Sequence, residues 1–76
     1  MVVAIAGGHG KIALRLTRIL SARDDTVRSL IRNSDHAEDV REAGGEPVVC
    51  DLEHASDAEV EAAVRGADAI VFAAGA

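Results

Sequence analysis

The chain has no tryptophan, no tyrosine and one phenylalanine, Phe72. A mechanism that needs a tyrosine acid or an aromatic stacking platform is therefore excluded within these residues. Cysteine occurs once, at Cys50, which rules out an intramolecular disulfide and a multi-cysteine metal site. No apolar run approaches the roughly 20 residues that a membrane-crossing helix needs. The first run, Met1 to Gly7, is far too short and lacks the basic leader of a signal peptide. The free thiol fits a reducing compartment. The expectation is a cytoplasmic protein with no membrane partner. Basic residues are in deficit: 8 Lys and Arg against 13 Asp and Glu give a net charge of −5, which argues against a general nucleic-acid binder.

What is present is globular. Hydrophobic residues make up 49% and charged residues 28%, enough apolar surface to form a core and too much for a disordered chain. Seventy-six residues allow one small domain. A chain of this size buries only roughly 60% of the surface its unfolded form exposes, so it is marginal as a free-standing fold. Charge is unevenly spread. Residues 1–34 hold six basic and two acidic side chains, and residues 35–76 hold two basic and eleven acidic ones. A basic first half points to an anionic ligand; two differently decorated solvent faces would give the same asymmetry.

The periodicity alternates between strand and helix. Val2 to Ala6 is a continuous apolar run ended by Gly7-Gly8, the pattern of a strand buried on both faces. From Gly10 the period changes: Ile12, Leu16, Ile19 and Leu20 form a helical stripe. Thr26 to Ile31 reads as a second strand. Ser34 or Asp35 offers an N-cap to a helix carrying Ala37 and Val40, stopped by Gly44-Gly45. Glu46 to Cys50 reads as a third strand, with Pro47 near its start where a missing N–H is tolerated. Ser56-Asp57-Ala58-Glu59 is a capping-box pattern. It opens a helix with Val60, Ala63, Val64 and Ala67 on its buried face and Gly66 at its end. Ala69 to Ala74 reads as a fourth strand. Strands joined by helices run parallel with right-handed crossovers, so the expected fold is α/β, a Rossmann-type doubly wound sheet with its first four strands in the order 3-2-1-4. A full dinucleotide fold has about six strands. Residues 1–76 therefore read as the N-terminal portion of one such domain, incomplete, with strand 4 an open edge through which copies could associate.

Chemistry is concentrated in Gly7-Gly8-His9-Gly10-Lys11-Ile12-Ala13, between a strand and a helix, the context a glycine-rich dinucleotide loop requires. Gly7 permits the tight turn, Gly10 lets a phosphate approach the backbone, and Ala13 lets the helix pack closely on the strand. The N–H groups of Lys11 and Ile12 then face the pyrophosphate, aided by the helix dipole. A Walker A loop is excluded, because Lys11 is followed by Ile12 and not by Ser or Thr. About 20 residues beyond the glycines, NAD-binding folds place an acid that holds the ribose hydroxyls. Here the spot reads Ile31-Arg32-Asn33. A guanidinium there suits a 2′-phosphate, with Asn33 or Ser34 adding a hydrogen bond, so NADP(H) is expected over NAD(H).

Gly7-x-x-Gly10-x-x-Ala13, Ile31-Arg32-Asn33, Cys50-Asp51-Leu52 and Phe72-Ala73-Ala74-Gly75 recur in that order in a known group. Together they resemble the atypical short-chain dehydrogenase/reductases, the NmrA-like and flavin-reductase-like NAD(P)H-binding proteins, over about the first third of a typical member. The resemblance implies that Asp51 meets the adenine amino group and that the Leu52 backbone faces the same ring. It also implies that Ala73, Ala74 and Gly75 wall the adenosine ribose and open toward the nicotinamide. His9 departs from the threonine common in such loops; its imidazole lies near the phosphates or in solvent. The family's tyrosine–lysine catalytic pair cannot be here, and no catalytic residue is identified.

The expected function is therefore the NADP(H)-binding segment of an oxidoreductase that passes hydride to a small carbonyl, quinone or flavin acceptor. The alternatives are a non-catalytic redox sensor of the NmrA-like kind and a sugar-nucleotide epimerase or dehydratase. Cys50 and His54 alone do not make a metal site; Cys50 is expected buried, and His36 and His54 exposed.

Overall fold

The computed structural model describes residues 1–7 and 9–73. Among the described residues, four strands and three helices alternate. In order they are β1 (Val2–Ala6), α1 (Lys11–Ala22), β2 (Thr26–Ile31), a 3-10 turn (Ser34–His36) running into α2 (Ala37–Glu42), β3 (Glu46–Val49), α3 (Asp57–Val64) and β4 (Ala69–Phe72). The strands form one parallel sheet in the order β3-β2-β1-β4, the Rossmann-like arrangement the periodicity predicts.

β1 lies at the centre, which is why its run is apolar on both faces. Val3 and Ile5 pack with Ala13 of α1 and Val27 of β2, joined by Leu16, Leu20 and Val71. Ala4 packs on the other face with Leu30, Cys50 and Ala63, where Val60 and Val64 of α3, with Ala67 just beyond it, close the layer. The predicted α3 stripe is thus the buried one.

α1 differs from its predicted stripe. Ile12 is 68% and Ile19 52% exposed, whereas Ala13 and Thr17 are buried. The helix turns small residues to the sheet so that its backbone approaches β1. Thr17 tolerates burial because its hydroxyl donates to the Ala13 carbonyl at 2.7 Å. Leu16 and Leu20 of the predicted stripe do pack on the core, but the stripe misses Ala13 and Thr17, the fully buried centre of that face.

The turn after β2 is also capped differently. Neither Ser34 nor Asp35 is the N-cap. Asn33, in extended conformation, accepts from the Asp35 N–H at 2.9 Å through its side-chain oxygen and so starts the 3-10 turn. Ser56 caps α3 as expected, accepting from the Glu59 N–H at 3.2 Å. β3 and β4 stop at Val49 and Phe72, short of the predicted Cys50 and Ala74. Pairing continues one residue further in each: Cys50 N–H donates to the Ile31 carbonyl at 2.8 Å and Ala73 N–H to Ala6 at 2.9 Å. Ala74 lies outside the described residues.

One residue of the basic first half, Arg28, has a structural role. Arg28 of β2 reaches over to α3 and donates to the carbonyls of Ala63 and Arg65 at 3.1 and 2.7 Å, closing that helix's C-terminus. Arg15, Arg18 and Arg23 are exposed and lie on or just beyond α1.

Candidate functional site

The carboxyl ends of all four strands open onto one cleft of about 590 Å³. In open α/β sheets this edge is where ligands bind. β1 leads into Gly7, whose φ of 77° is a conformation that favours glycine. The Gly10 N–H donates to the Gly7 carbonyl at 3.2 Å, and α1 starts immediately afterwards. Gly10 itself is extended (φ −60°, ψ 156°) and caps the helix without a side chain. Among the described residues, a Cβ built there would meet the Gly7 carbonyl oxygen at 3.7 Å and no other atom within ordinary contact. Neither backbone conformation nor packing therefore demands a glycine at position 10. Gly10 lines the cleft at the N-terminal, positive end of α1.

β2 delivers Arg32 and Asn33 to the cleft. The Arg32 side chain is 70% exposed, and its nearest counter-ion, Glu53, stands 4.0 Å away and is as exposed as Arg32 itself. Such a pair is weak, which leaves the guanidinium available to an incoming anion. No carboxylate occupies the end of β2, where Arg28 to Ser34 contains no acid.

β3 ends in buried Cys50 and delivers Asp51 and Leu52. Asp51 is held in place on both oxygens. One accepts from the Glu53 N–H at 3.0 Å, and the other pairs with His54 Nδ1 at 2.9 Å. The hydrogen bond from His54 holds this carboxyl below its usual range against an opposing contribution from burial, with the Glu53 N–H and the charges of His54 and Arg32 adding to it. Each oxygen keeps a lone pair for a further donor. Asp51, Glu53 and His54 bring ligand atoms within 4.8 Å of one another. Their internal hydrogen bonds and the adjacent Arg32 account for that cluster. Cys50 is buried and is not one of the three.

β4 contributes Ala73 to the far wall. Of the residues expected at the site, Gly7, Gly10, Arg32, Asn33, Asp51, Leu52 and Ala73 thus line one cleft. Lys11 and Ile12 do not line it; both are exposed at the start of α1. Ala74 and Gly75 lie outside the described residues. Two histidines also line it: His9, expected near the phosphates or in solvent, and His36, expected exposed. His9 and His36 are both half-buried, and their rings stack at 3.6 Å and 10°. His9 Nε2 lies 2.8 Å from Asp39 Oδ2. His9 is thus neither free in solvent nor a lone loop residue, and His36 is not simply exposed. The partnership spans 27 residues of sequence and has no periodic signature.

Comparison with known proteins fits this geometry. The chain is 36% identical over 76 residues to a Bacillus subtilis (strain 168) protein named as an uncharacterized sugar epimerase, YhfK, covering 99% of this chain and 35% of that protein. It is 35% identical over 79 residues to UPF0659 protein YMR090W of Saccharomyces cerevisiae, covering 100% of this chain and 35% of the relative. The chain thus spans about a third of the length of the curated relatives it matches. A solved structure from Bacillus halodurans, described as a candidate NAD-dependent epimerase/dehydratase, superposes with a TM-score of 0.87 at 32% identity, covering 100% of this chain and 34% of that one. No helix among the described residues is long and apolar enough to cross a membrane. Residues 7–76 match the family described as NAD(P)H-binding, and the chain belongs to that family, within the atypical short-chain dehydrogenase/reductase and NmrA-like group.

Proposed function

We propose that residues 1–76 form the N-terminal, cofactor-holding part of a dinucleotide domain that prefers NADP(H), in an oxidoreductase acting on a small carbonyl, quinone or flavin-type acceptor. The observation that carries the cofactor preference is Arg32: an exposed guanidinium at the cleft mouth, weakly paired, where NAD-binding folds place an acid. In this reading the Gly7–Gly10 turn and the backbone N–H groups of Lys11 and Ile12 hold the pyrophosphate. Arg32 grips the 2′-phosphate with paired charge-assisted hydrogen bonds, and Asn33 adds a donor from its side-chain amide. Asp51, ionised and oriented by His54, accepts from the adenine amino group, and Leu52 lies against the ring. Ala73 walls the ribose. The bound nicotinamide supplies the hydride chemistry, and these residues supply binding and orientation. A second reading, a sugar-nucleotide epimerase or dehydratase, is favoured by the descriptions of the relatives and shares every one of these contacts.

The test is a thermal melt of the 76-residue chain by far-UV circular dichroism, with NADPH and NADH at equal concentration. A ligand that binds only the folded form adds about 2.7 kcal/mol at a hundredfold excess over its dissociation constant. The expected result is a large upward shift with NADPH and a small one with NADH. Arg32→Gln should weaken NADPH by roughly tenfold or more and leave NADH unchanged. Equal shifts with both nucleotides would remove the 2′-phosphate role. A cooperative melt that neither nucleotide moves would count against the binding mode itself.

A further inference from the structure

We propose that His9, His36 and Asp39 form a positioning clamp that fixes the glycine loop to the segment after β2, so that the pyrophosphate and 2′-phosphate subsites are presented as one surface. The inference rests on the dinucleotide reading above and assigns a role to side chains that neither the glycines of the loop nor Arg32 supply.

The three side chains come from three places. His9 is in the β1–α1 loop, His36 ends the 3-10 turn, and Asp39 lies in α2. The rings of His9 and His36 stack at 3.6 Å, and His9 Nε2 is 2.8 Å from Asp39 Oδ2. An ionised carboxylate only accepts, so Nε2 of His9 carries the proton and donates. His36 is tied back in turn. Its N–H donates to the Asn33 carbonyl at 3.1 Å, and Asn33 follows Arg32. A continuous physical link therefore runs from Arg32–Asn33 through the turn to His36, across the stack to His9, and into the Gly7–Gly10 loop. Both histidines line the cleft.

The loop needs such a tie. Glycines lose the most backbone freedom on ordering, and a loop built on them is the part of the site least fixed by its own sequence. An external contact that restrains it before the ligand arrives lowers the ordering cost of binding. On the surface, a single hydrogen-bonded pair adds little to global stability. Its effect falls on ligands that span both loops. A nucleotide that touches only the Arg32 side should not feel it.

That difference supplies the experiment. Three quantities are measured on the 76-residue chain and its variants: amide exchange of residues 7–12 without ligand, affinity for NADPH, and affinity for 2′-AMP, which carries the 2′-phosphate but no pyrophosphate. Asp39→Ala and His36→Ala should each speed exchange in the loop while leaving the sheet amides protected. Each should weaken NADPH by about tenfold, within the range of ordinary coupling between sites, and move 2′-AMP by less than about twofold. Asp39→Asn, which keeps an acceptor, and His36→Phe, which keeps a stacking ring, should restore most of both. Unchanged loop exchange in the two alanine variants overturns the clamp, and so does an equal loss of both nucleotides. If the unaltered chain binds neither nucleotide, the cofactor reading fails; loop exchange then decides the clamp by itself.

Discussion

Gly10 and Asp51 separate what the fold needs from what a ligand needs. At Gly10 the backbone is ordinary, and a Cβ would make one comfortable contact at 3.7 Å. Gly10→Ala should therefore leave the ligand-free melting temperature unchanged or raise it, since alanine narrows the unfolded ensemble by about 0.4–1 kcal/mol. The same change should weaken NADPH at least tenfold by filling the phosphate space, read by titrating nicotinamide fluorescence without interference from tryptophan. Asp51 carries a pH signature. Its carboxyl sits below the ordinary value of 3.8 because His54 donates to it, so in acid the unfolded chain binds the proton first. The stabilisation is complete above that ordinary value and is lost as pH falls through the lower folded one. In a pH series of melts, Asp51→Asn should flatten the acid limb, with the two curves converging at the most acid end. At this scale the sequence was informative wherever chemistry is local. Arg32 follows the last apolar residue of a strand, and Asp51 follows the next. The His9–His36–Asp39 contacts were not legible, because they form only when two loops from different crossovers meet.

Element boundaries followed from runs and stop signals, and β1 and β2 fall on the residues the apolar runs mark. α1 shows where that reasoning fails. Hydropathy ranks Ile12 and Ile19 above Ala13 and Thr17, but close helix–sheet approach selects small side chains, and Thr17 hides its hydroxyl in a bond to its own helix. The α2–β3 connection follows the same rule of close approach. Gly44 has φ +94°, and a Cβ there would fall 2.3 Å from the Ser21 hydroxyl oxygen and 2.8 Å from its Cβ. Gly44→Ala combines left-handed strain with a clash against α1, and should cost on the order of 2 kcal/mol. For a domain of this size each kcal/mol moves the melting temperature by about 4–8 °C. A drop of less than about 5 °C would show that α1 and the turn yield easily to each other.

At the scale of the whole molecule, the charge asymmetry and the sheet edge have different origins. The basic half divides into a helix closure by Arg28, an exposed face of α1 and one cleft residue, Arg32, so net charge by halves was a poor guide to the ligand. The edge follows directly from topology. β4 pairs with β1 on one side, and among the described residues nothing pairs on its other side. Ile70 is 47% and Phe72 77% exposed, both aligned with the β1 residues Ala4 and Ala6 whose side of the sheet α3 covers. α3 spans the sheet toward β2 and β3, since Ala63 packs with Leu30 and Cys50, and it leaves the β4 end of that face open. An open edge beside a large exposed aromatic is a template for pairing with a second copy. We therefore expect sedimentation velocity of the isolated chain to show association that grows with concentration. Phe72→Lys should reduce it, because a lysine on an edge strand disfavours edge-to-edge pairing. Phe72 does not line the cleft, so NADPH affinity should be unchanged by the same substitution. Association that persists undiminished in Phe72→Lys would move the contact elsewhere, with the exposed Ile12–Ile19 face of α1 as the next surface to alter.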